Sequence, residues 1–449
     1  MHLTRRSFLA ATAAAAQPRP VRPNVIFIVA DDLGYADVGF QGAQDIPTPH
    51  LNALARSGIH CTAGSVSHPF CSPTRAGLLT GRYQQRFGHE NNPLYDPADE
   101  QLGLPLTETP LPQVLSAAGY RTGIVGKWHL GAAPQFHPLK RGFQEHFGFI
   151  GGGHDYFESQ MELPAREYLV PIEKNGKPVP LRGKYLTDEL TREACEFVER
   201  QRTDARPFFL YLTYNAPHTP QHVTGKYLER VQHIASEKRR KHAAMVCSVD
   251  DGVGALMAKL KERGLDANTL VVFISDNGGP TGVTEADNTP LRGVKGQVYE
   301  GGIRVPFVVR WSGRLKPGRF DAPVSSLDLF PTACAAAGVT PKPAGGQLDG
   351  VNLLPFLDGT RNGSPHERLF WRTGGGVLYA VREGNWKLVV REGKAELYDL
   401  AADVGEQHDV AATQPEVVAR LDAARRAWDR ELIAPRWQSP RPAAGKKKA

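Results

Sequence analysis

Cysteine is scarce: five occur in 449 residues, Cys61, Cys71, Cys195, Cys247 and Cys334. No two make a C-x-x-C pair, which excludes a zinc ribbon or a disulfide framework as the organising device. Pairing among Cys61, Cys195, Cys247 and Cys334 stays open, with burial as free thiols the expectation. Long apolar runs are missing as well. Residues 10–16 form an alanine-rich stretch far too short to cross a bilayer, and no other segment approaches a span. A basic face is the third absence. The formal charge is +7, yet Arg5, Arg6, Arg436, Arg441, Lys446, Lys447 and Lys448 at the two ends account for all of it. The body is near neutral and has no basic stripe interleaved with aromatics. Nucleic acid is excluded as a partner, and so is a stable membrane span.

What remains is an ordinary globular composition, 41% apolar and 22% charged, with length for two or three domains. The run Thr4-Arg5-Arg6-Ser7-Phe8-Leu9 ahead of the alanines reads as a twin-arginine-type signal peptide over residues 1–16, with Ala14 and Ala16 at the cleavage site. It implies the twin-arginine translocase as a partner and a periplasmic or secreted location. From 435 to 449 proline, alanine and basic residues dominate, the composition of a disordered basic tail.

Between these ends strand-like runs alternate with helical segments, which argues α/β. Residues 24–30 are continuously apolar after Asn24, as a strand covered on both faces must be, and end in Asp31-Asp32. Residues 269–274 repeat the pattern and end, after Ser275, in Asp276-Asn277-Gly278-Gly279. Two more strands end in nitrogen: 121–126 runs into Lys127-Trp128-His129, and 208–213 into Asn215-Ala216-Pro217-His218. Ligands of open parallel sheets bind outside the carboxyl ends of the strands, so all these groups are expected at one edge. Three carboxylates and an amide make the oxygen-rich set that Ca2+ prefers and Mg2+ tolerates.

Helices are expected over 111–118, 187–201, 227–263 and 325–337, and 349–354 as a return towards the sheet. The irregular segment 137–186, with Gly151-Gly152-Gly153 and a Lys174-Asn175-Gly176-Lys177 hairpin, is expected over the site. Beyond Pro365 four short runs, around Leu369, Val377, Trp386 and Glu396, and a helical stretch over 415–432 read as an antiparallel sheet closed by a helix. The main domain is thus set at 23–364 and a C-terminal subdomain at 365–434.

The densest motif is Cys71-Ser72-Pro73-Thr74-Arg75, continued by Ala76-Gly77-Leu78-Leu79-Thr80-Gly81-Arg82. Ser72 suits an N-cap and Pro73 the first helical position. Cys71 then sits at a positive helix end, where its thiol pKa is lowered or an oxyanion is stabilised. Arg75, one turn on, can swing back to the same spot. Taken singly each residue has an ordinary reading: a buried cysteine, a solvated carboxylate pair, structural histidines at 129 and 218, a solvated Lys295 in a glycine-flanked loop. As a set they are more simply explained by one common site.

C-x-P-x-R with its extension to Arg82 resembles the signature of the type I sulfatases of the alkaline-phosphatase-like superfamily, and the likeness runs from Asn24 to about Asp409. The resemblance implies a large mixed, mostly parallel sheet sandwiched by helices, with a small C-terminal α+β subdomain of antiparallel sheet plus helix. It implies a sulfatase, a sulfuric ester hydrolase, in which a formylglycine-generating enzyme converts Cys71 to formylglycine before export. Asp31, Asp32, Asp276 and Asn277 would bind Ca2+ together with residue 71, Mg2+ being second choice. Arg75 would hold the formylglycine diol, and Lys127 and Lys295 the sulfate oxygens. His218 would protonate the departing alcohol and His129 deprotonate the remaining hydroxyl.

The run from Gly81 to Glu90 is similar to that of bacterial sulfatases acting on sulfated polysaccharides, including the N-acetylgalactosamine-6-sulfatase-like group. A sulfated carbohydrate is therefore the expected substrate. His89, Glu90, His154, Asp155 and His222, polar residues near the expected mouth loops, are the candidates for sugar contacts. Two alternatives stand beside this reading: a phosphonate monoester or phosphodiester hydrolase of the same superfamily, and a noncatalytic binder of sulfated glycans.

Overall fold

The computed structural model describes residues 22–162, 167–201, 204, 206–342 and 344–438. The expected signal at 1–16, and the expected tail beyond residue 438, lie outside them. The strands are β1 (Asn24–Ala30), β2 (Ile59–Cys61), β3 (Gly64–Ser65), β4 (Arg121–Lys127), β5 (Glu145–Phe149), β6 (Glu173–Lys174), β7 (Lys177–Pro178), β8 (Phe208–Thr213), β9 (Thr269–Ser275), β10 (Phe307–Arg310), β11 (Gly318–Phe320), β12 (Val324–Ser325), β13 (Arg368–Thr373), β14 (Leu378–Glu383), β15 (Trp386–Arg391) and β16 (Lys394–Asp399). Ten of them form one sheet in the order β11-β2-β10-β9-β1-β8-β4-β5-β6-β7. β9, β1, β8, β4 and β5 run parallel, and β10 is antiparallel to β9.

Every residue of β1, β8 and β9 is buried, the condition that makes such strands continuously apolar. Alternation divides β1 between two cores. Ile26, Ile28 and Ala30 pack with Leu190, Phe197, Val246 and Leu256 from the helices Leu186–Arg200 and Glu237–Glu262. Val25, Phe27 and Val29 pack with Leu78, Leu115 and Phe330 from the helices Cys71–Thr80, Leu111–Ala117 and Leu329–Ala336. The large mixed, mostly parallel sheet between helices is the architecture expected from the sequence.

A four-stranded antiparallel sheet, β13-β14-β15-β16, stands apart from it. One face, with Trp371, Ala380, Val389 and Tyr398, packs on Tyr299, Ile303 and Val305. The other, with Val381, Leu388 and Leu397, lies under Leu421 and Trp428 of the closing helix Pro415–Asp429. A buried ion cluster crosses the first face. Lys387 Nζ lies 2.8 Å from Glu300 Oε1 and 2.9 Å from Glu406 Oε1, and none of the three side chains is more than 2% exposed. Burial works against ionised Glu300, but Lys387, with Arg382 and Arg304, holds its carboxyl down at about 2.

Several expectations are corrected. The helix of the cysteine motif starts at Cys71 with Phe70 in the N-cap position, so Ser72 is not the cap. The helix expected over 227–263 is broken. Short turns at Gly225–Leu228 and Glu229–Val231 come first, and Ser236, whose Oγ accepts from Arg239 N, caps a fresh helix over Glu237–Glu262. Residues 349–354 do not return to the sheet. The Asp349 carboxylate is taken by Arg86 and Tyr83 N, while the Asp349 and Gly350 amides bind Gly81 O beyond the Cys71–Thr80 helix. The hairpin at 173–178 extends the sheet edge as β6 and β7 and does not cover the site. Nor does a tail begin at 435: Arg436 N donates to Gly88 O, and Trp437 exchanges hydrogen bonds with Asn91. No helix among the described residues is long and apolar enough to cross a membrane.

Candidate active site

Four strand ends meet. β1 delivers Asp31 and Asp32, β9 delivers Asp276 and Asn277, β4 delivers Lys127 and then His129, and β8 leads to His218. Parallel pairing of Ala30 with Ser275 and of Gly126 with Thr213 sets these ends side by side. Gly126 has φ +115° and a Cβ there would lie 1.8 Å from Thr213 O, so this close approach requires glycine. The Cys71–Thr80 helix adds Cys71 and Arg75, and Lys295 arrives on the loop after β9.

Three carboxylates are matched one to one by three cations. Lys127 Nζ lies 2.5 Å from Asp31 Oδ2 and Lys295 Nζ 2.6 Å from Asp32 Oδ1. Arg75 donates through Nε at 3.0 Å and Nη2 at 2.7 Å to Asp276 Oδ2, and through Nη1 to Lys127 O. Burial opposes ionised Asp32, yet Lys295 and His218 hold its carboxyl well below the usual range. Asp32 in turn keeps Lys295 cationic against the cost of burial.

Cys71 Sγ lies 3.5 Å from Asp31 Oδ1 and accepts from Lys295 Nζ at 3.2 Å. The expectation of a lowered thiol pKa is overturned, because burial pushes the Cys71 thiol up to about 12 despite Lys127 and Lys295. Helix position alone does not decide a pKa when desolvation is complete. His218 Nδ1 donates to Thr219 O at 2.7 Å, leaving Nε2 to face Asp32 Oδ2 at 3.7 Å. Burial pulls His218 down to about 3 although Asp32 resists, and burial with Lys127 and Arg75 carries His129 well below its usual value. Both rings are neutral at pH 7.

The donor set fits a hard cation. Ligand atoms of Asp31, Asp32, Cys71 and His218 all lie within 4.8 Å of one another. Asp276 Oδ1 accepts from Asp32 N, and Asn277 Nδ2 donates to Asp32 Oδ1. Among the described residues Asn277 Oδ1 and His129 Nδ1 are buried without a protein partner. An orphan amide oxygen beside three carboxylates is the chemistry of an oxygen-ligated ion.

A cavity of about 310 Å3 opens over Cys71, His129 and His218, walled by Phe70, Asn92, Leu94, Gly152, Glu167 and Tyr168. None of these wall residues was singled out as a sugar contact from the sequence, and those that were lie elsewhere or are already engaged. Glu90 is fully buried and bound by Arg372 and Gly375 N. His154 is buried between the carbonyls of Asp155 and Val170. His89 is buried with its ring edge-on to Trp437. These three are corrected: full burial leaves them nothing to offer a sugar. Asp155 and His222 remain partly exposed, 3.3 Å apart, outside the cavity wall.

Ser72 has a different task from the capping expected of it. Its Oγ donates to His129 O at 2.6 Å and accepts from His89 Nε2 at 2.6 Å, tying the helix to the left-handed His129 backbone at φ 57°. Ser72→Ala leaves both partners buried and unpaired. It is expected to cost about 2 kcal/mol of stability and to lower kcat by as much as about 100-fold with KM little changed. Steady-state kinetics beside urea unfolding would check both.

A family model described as Sulfatase matches residues 23–339. Human arylsulfatase A is 35% identical over 471 residues, covering 94% of this chain and 90% of the relative. The uncharacterized sulfatase YdeN of Escherichia coli is 34% identical over 403 residues, covering 78% and 69%. Human N-acetylgalactosamine-6-sulfatase is 35% identical, covering 77% and 67%. Among solved structures, Ps i-CgsB in complex with k-i-k-neocarrahexaose superposes with a TM-score of 0.88 at 39% identity, over 93% of this chain and 95% of that one.

Proposed function

Because this chain belongs to the sulfatase family and is a sulfatase enzyme, we propose that it hydrolyses a sulfate ester of a carbohydrate, with formylglycine at position 71 and a bound Ca2+. The observation that carries the reading is the one-to-one pairing of Arg75, Lys127 and Lys295 with Asp276, Asp31 and Asp32 beside residue 71. Such a site is neutral as it stands and gains affinity for an anion only when a cation joins the carboxylates. Asp31, Asp32, Asp276, Asn277 Oδ1 and residue 71 would hold that ion, which supplies Lewis-acid stabilisation of charge developing on a sulfate oxygen. Oxidation of Cys71 would supply a geminal diol where the thiol is inert.

The chain's own groups divide the remaining work. Lys127, Lys295 and Arg75 offset the repulsion between an anionic ester and an oxygen nucleophile and hold the two in line. His218, its Nδ1 proton fixed by Thr219 O, presents Nε2; once an anionic ester in the site favours a second proton there, Nε2 would pass that proton to the departing alcohol. His129 has Nδ1 clear of protein partners, the atom at which it would accept a hydroxyl proton. A carbohydrate substrate is supported by relatives named for N-acetylgalactosamine 6-sulfate and by the neighbour bound to a neocarrahexaose. The proposal is completed by action of a formylglycine-generating enzyme followed by twin-arginine export to the periplasm or beyond.

The test uses protein coexpressed with a formylglycine-generating enzyme. The peptide carrying Cys71 is expected to show the aldehyde mass, and an aryl sulfate to be turned over faster than the matching aryl phosphodiester. A chelator is expected to abolish the turnover and Ca2+ to restore it. Preference for the diester would transfer the chain to the phosphodiesterase reading. An unmodified thiol in active protein would remove formylglycine from it.

A further inference from the structure

The floor of the cavity rests on cations already paired with carboxylates, and its rim carries no cation at all. Beyond Cys71, His129 and His218, the lining comprises Phe70, Asn92, Pro93, Leu94, Gly152, Glu167 and Tyr168, with one carboxylate and no lysine or arginine. Leu94 and Tyr168, 50% and 41% exposed, present apolar surface to the cavity. The rim is also built. Residues Glu167–Leu169 form one turn of 3-10 helix, fixed by Asp155 N donating to Tyr168 O at 2.7 Å and Gln160 N to Leu169 O at 2.8 Å. The Tyr168 ring stands 6.3 Å from the His218 ring, centroid to centroid.

The triple glycine prominent in the sequence explains how the turn comes so near. A Cβ on Gly153 would lie 2.1 Å from Tyr168 Cε1 and 3.2 Å from His218 Cε1, and one on Gly152 would lie 2.7 Å from His129 Nε2. The missing side chains at Gly152 and Gly153 leave room for Tyr168 to stand against His218 and for His129 to face the loop.

We infer that Tyr168, Leu94 and Glu167 form a sugar-binding subsite selecting a carbohydrate residue that carries the scissile sulfate, has free hydroxyls on the neighbouring carbons, and bears no second sulfate or carboxylate there. The inference deepens the proposed function and rests on it for the identity of the bound ester. Tyr168 and Leu94 give the C–H face of a pyranose an apolar surface. Glu167, an acceptor, takes hydrogen bonds from hydroxyls. The same carboxylate repels an additional anion: two like charges about 6 Å apart cost about tenfold in affinity at an effective dielectric constant of about 40, between those of a protein surface and bulk water.

Binding separates this inference from the sulfatase reading, since it needs no turnover. Calorimetry on the Cys71→Ala protein loaded with Ca2+ would use N-acetylgalactosamine 6-sulfate and its 4,6-disulfate as probes. The monosulfate is expected to bind about tenfold more tightly, Glu167→Gln in that background to bring the ratio within about threefold of unity, and Tyr168→Ala to weaken both sugars several-fold. Circular dichroism would establish that the variants are folded. A disulfate bound as tightly as the monosulfate, or a preference untouched by Glu167→Gln, overturns the inference even if aryl sulfate turnover by the oxidised wild type is intact. Failure of that turnover would instead strike the sulfatase reading, while the binding preference would still decide the subsite.

Discussion

Cys71→Ala is expected to lower kcat/KM for an aryl sulfate by at least about four orders of magnitude, the scale on which enzymes lose rate with their covalent nucleophile. Stability should change by only about 1 kcal/mol, because the small buried side chain leaves a small cavity. The same reasoning makes unmodified wild-type protein inert. With the Cys71 thiol at about 12, only about one molecule in a thousand carries a thiolate at pH 9, so raising the pH should not rescue it. Parallel assays of oxidised wild type, unoxidised wild type and Cys71→Ala, with thermal melts of each, would check the set. Activity above about 1% in Cys71→Ala would remove residue 71 from the reaction.

Lys387→Met is expected to destabilise the protein by about 3–5 kcal/mol, because it leaves buried Glu406 without its cation and Glu300 with only the longer contacts to Arg304 at 3.4 Å and Arg382 at 3.8 Å. The sign of its pH dependence follows from the pair. In the wild type Glu300 is depressed from 4.5 to about 2, so its contribution is present above 4.5 and disappears as pH falls towards 2, whereas burial and Glu300 raise Glu406 above its usual value, so that group works with the opposite sign. Without Lys387 burial would raise Glu406 further in the folded state, and Glu300 would lose the largest of the charges that hold it down. The penalty should then be small at pH 4 and grow as pH rises to 8. Urea unfolding of both proteins at the two pH values measures this directly, and a penalty independent of pH would show that Lys387 acts by packing alone. Adding Glu300→Gln and Glu406→Gln to Lys387→Met should recover most of the loss.

These two sites show what a sequence discloses. The strand-end residues Asp31, Asp276, Lys127 and His218 were legible because a strand buried on both faces is a long apolar run, and the first charged residue after it marks the edge of the sheet. Cys71 was legible from its spacing to Pro73 and Arg75. The state of its thiol was not, since desolvation depends on what the rest of the chain places around it. Ser72 was noticed but misassigned by two positions of helix register, which hid its link to His129. Glu167, Tyr168, Leu94 and Asn92 gave no signal, as loops acquire their neighbours only through tertiary structure. Glu300, Lys387 and Glu406 gave no signal either, because nothing local records that a charged side chain will be buried with its partners.

The pairing of β1 with β9 joins residues more than 240 positions apart, and Cys71 in the finished protein is only 1% exposed. Together they impose a timetable. The ion-pair floor lacks Asp276 until about 205 residues after Cys71 have been synthesised and Lys295 until about 224 have, which takes roughly 10–45 s at ordinary elongation rates. For most of that interval the motif from Cys71 to Arg82 is outside the ribosome while β9 does not yet exist. Any second protein that acts on Cys71 must do so during this interval, or compete with the closing of the sheet. Slower elongation between residues 83 and 276 should therefore raise the modified fraction without altering a single contact of the final structure.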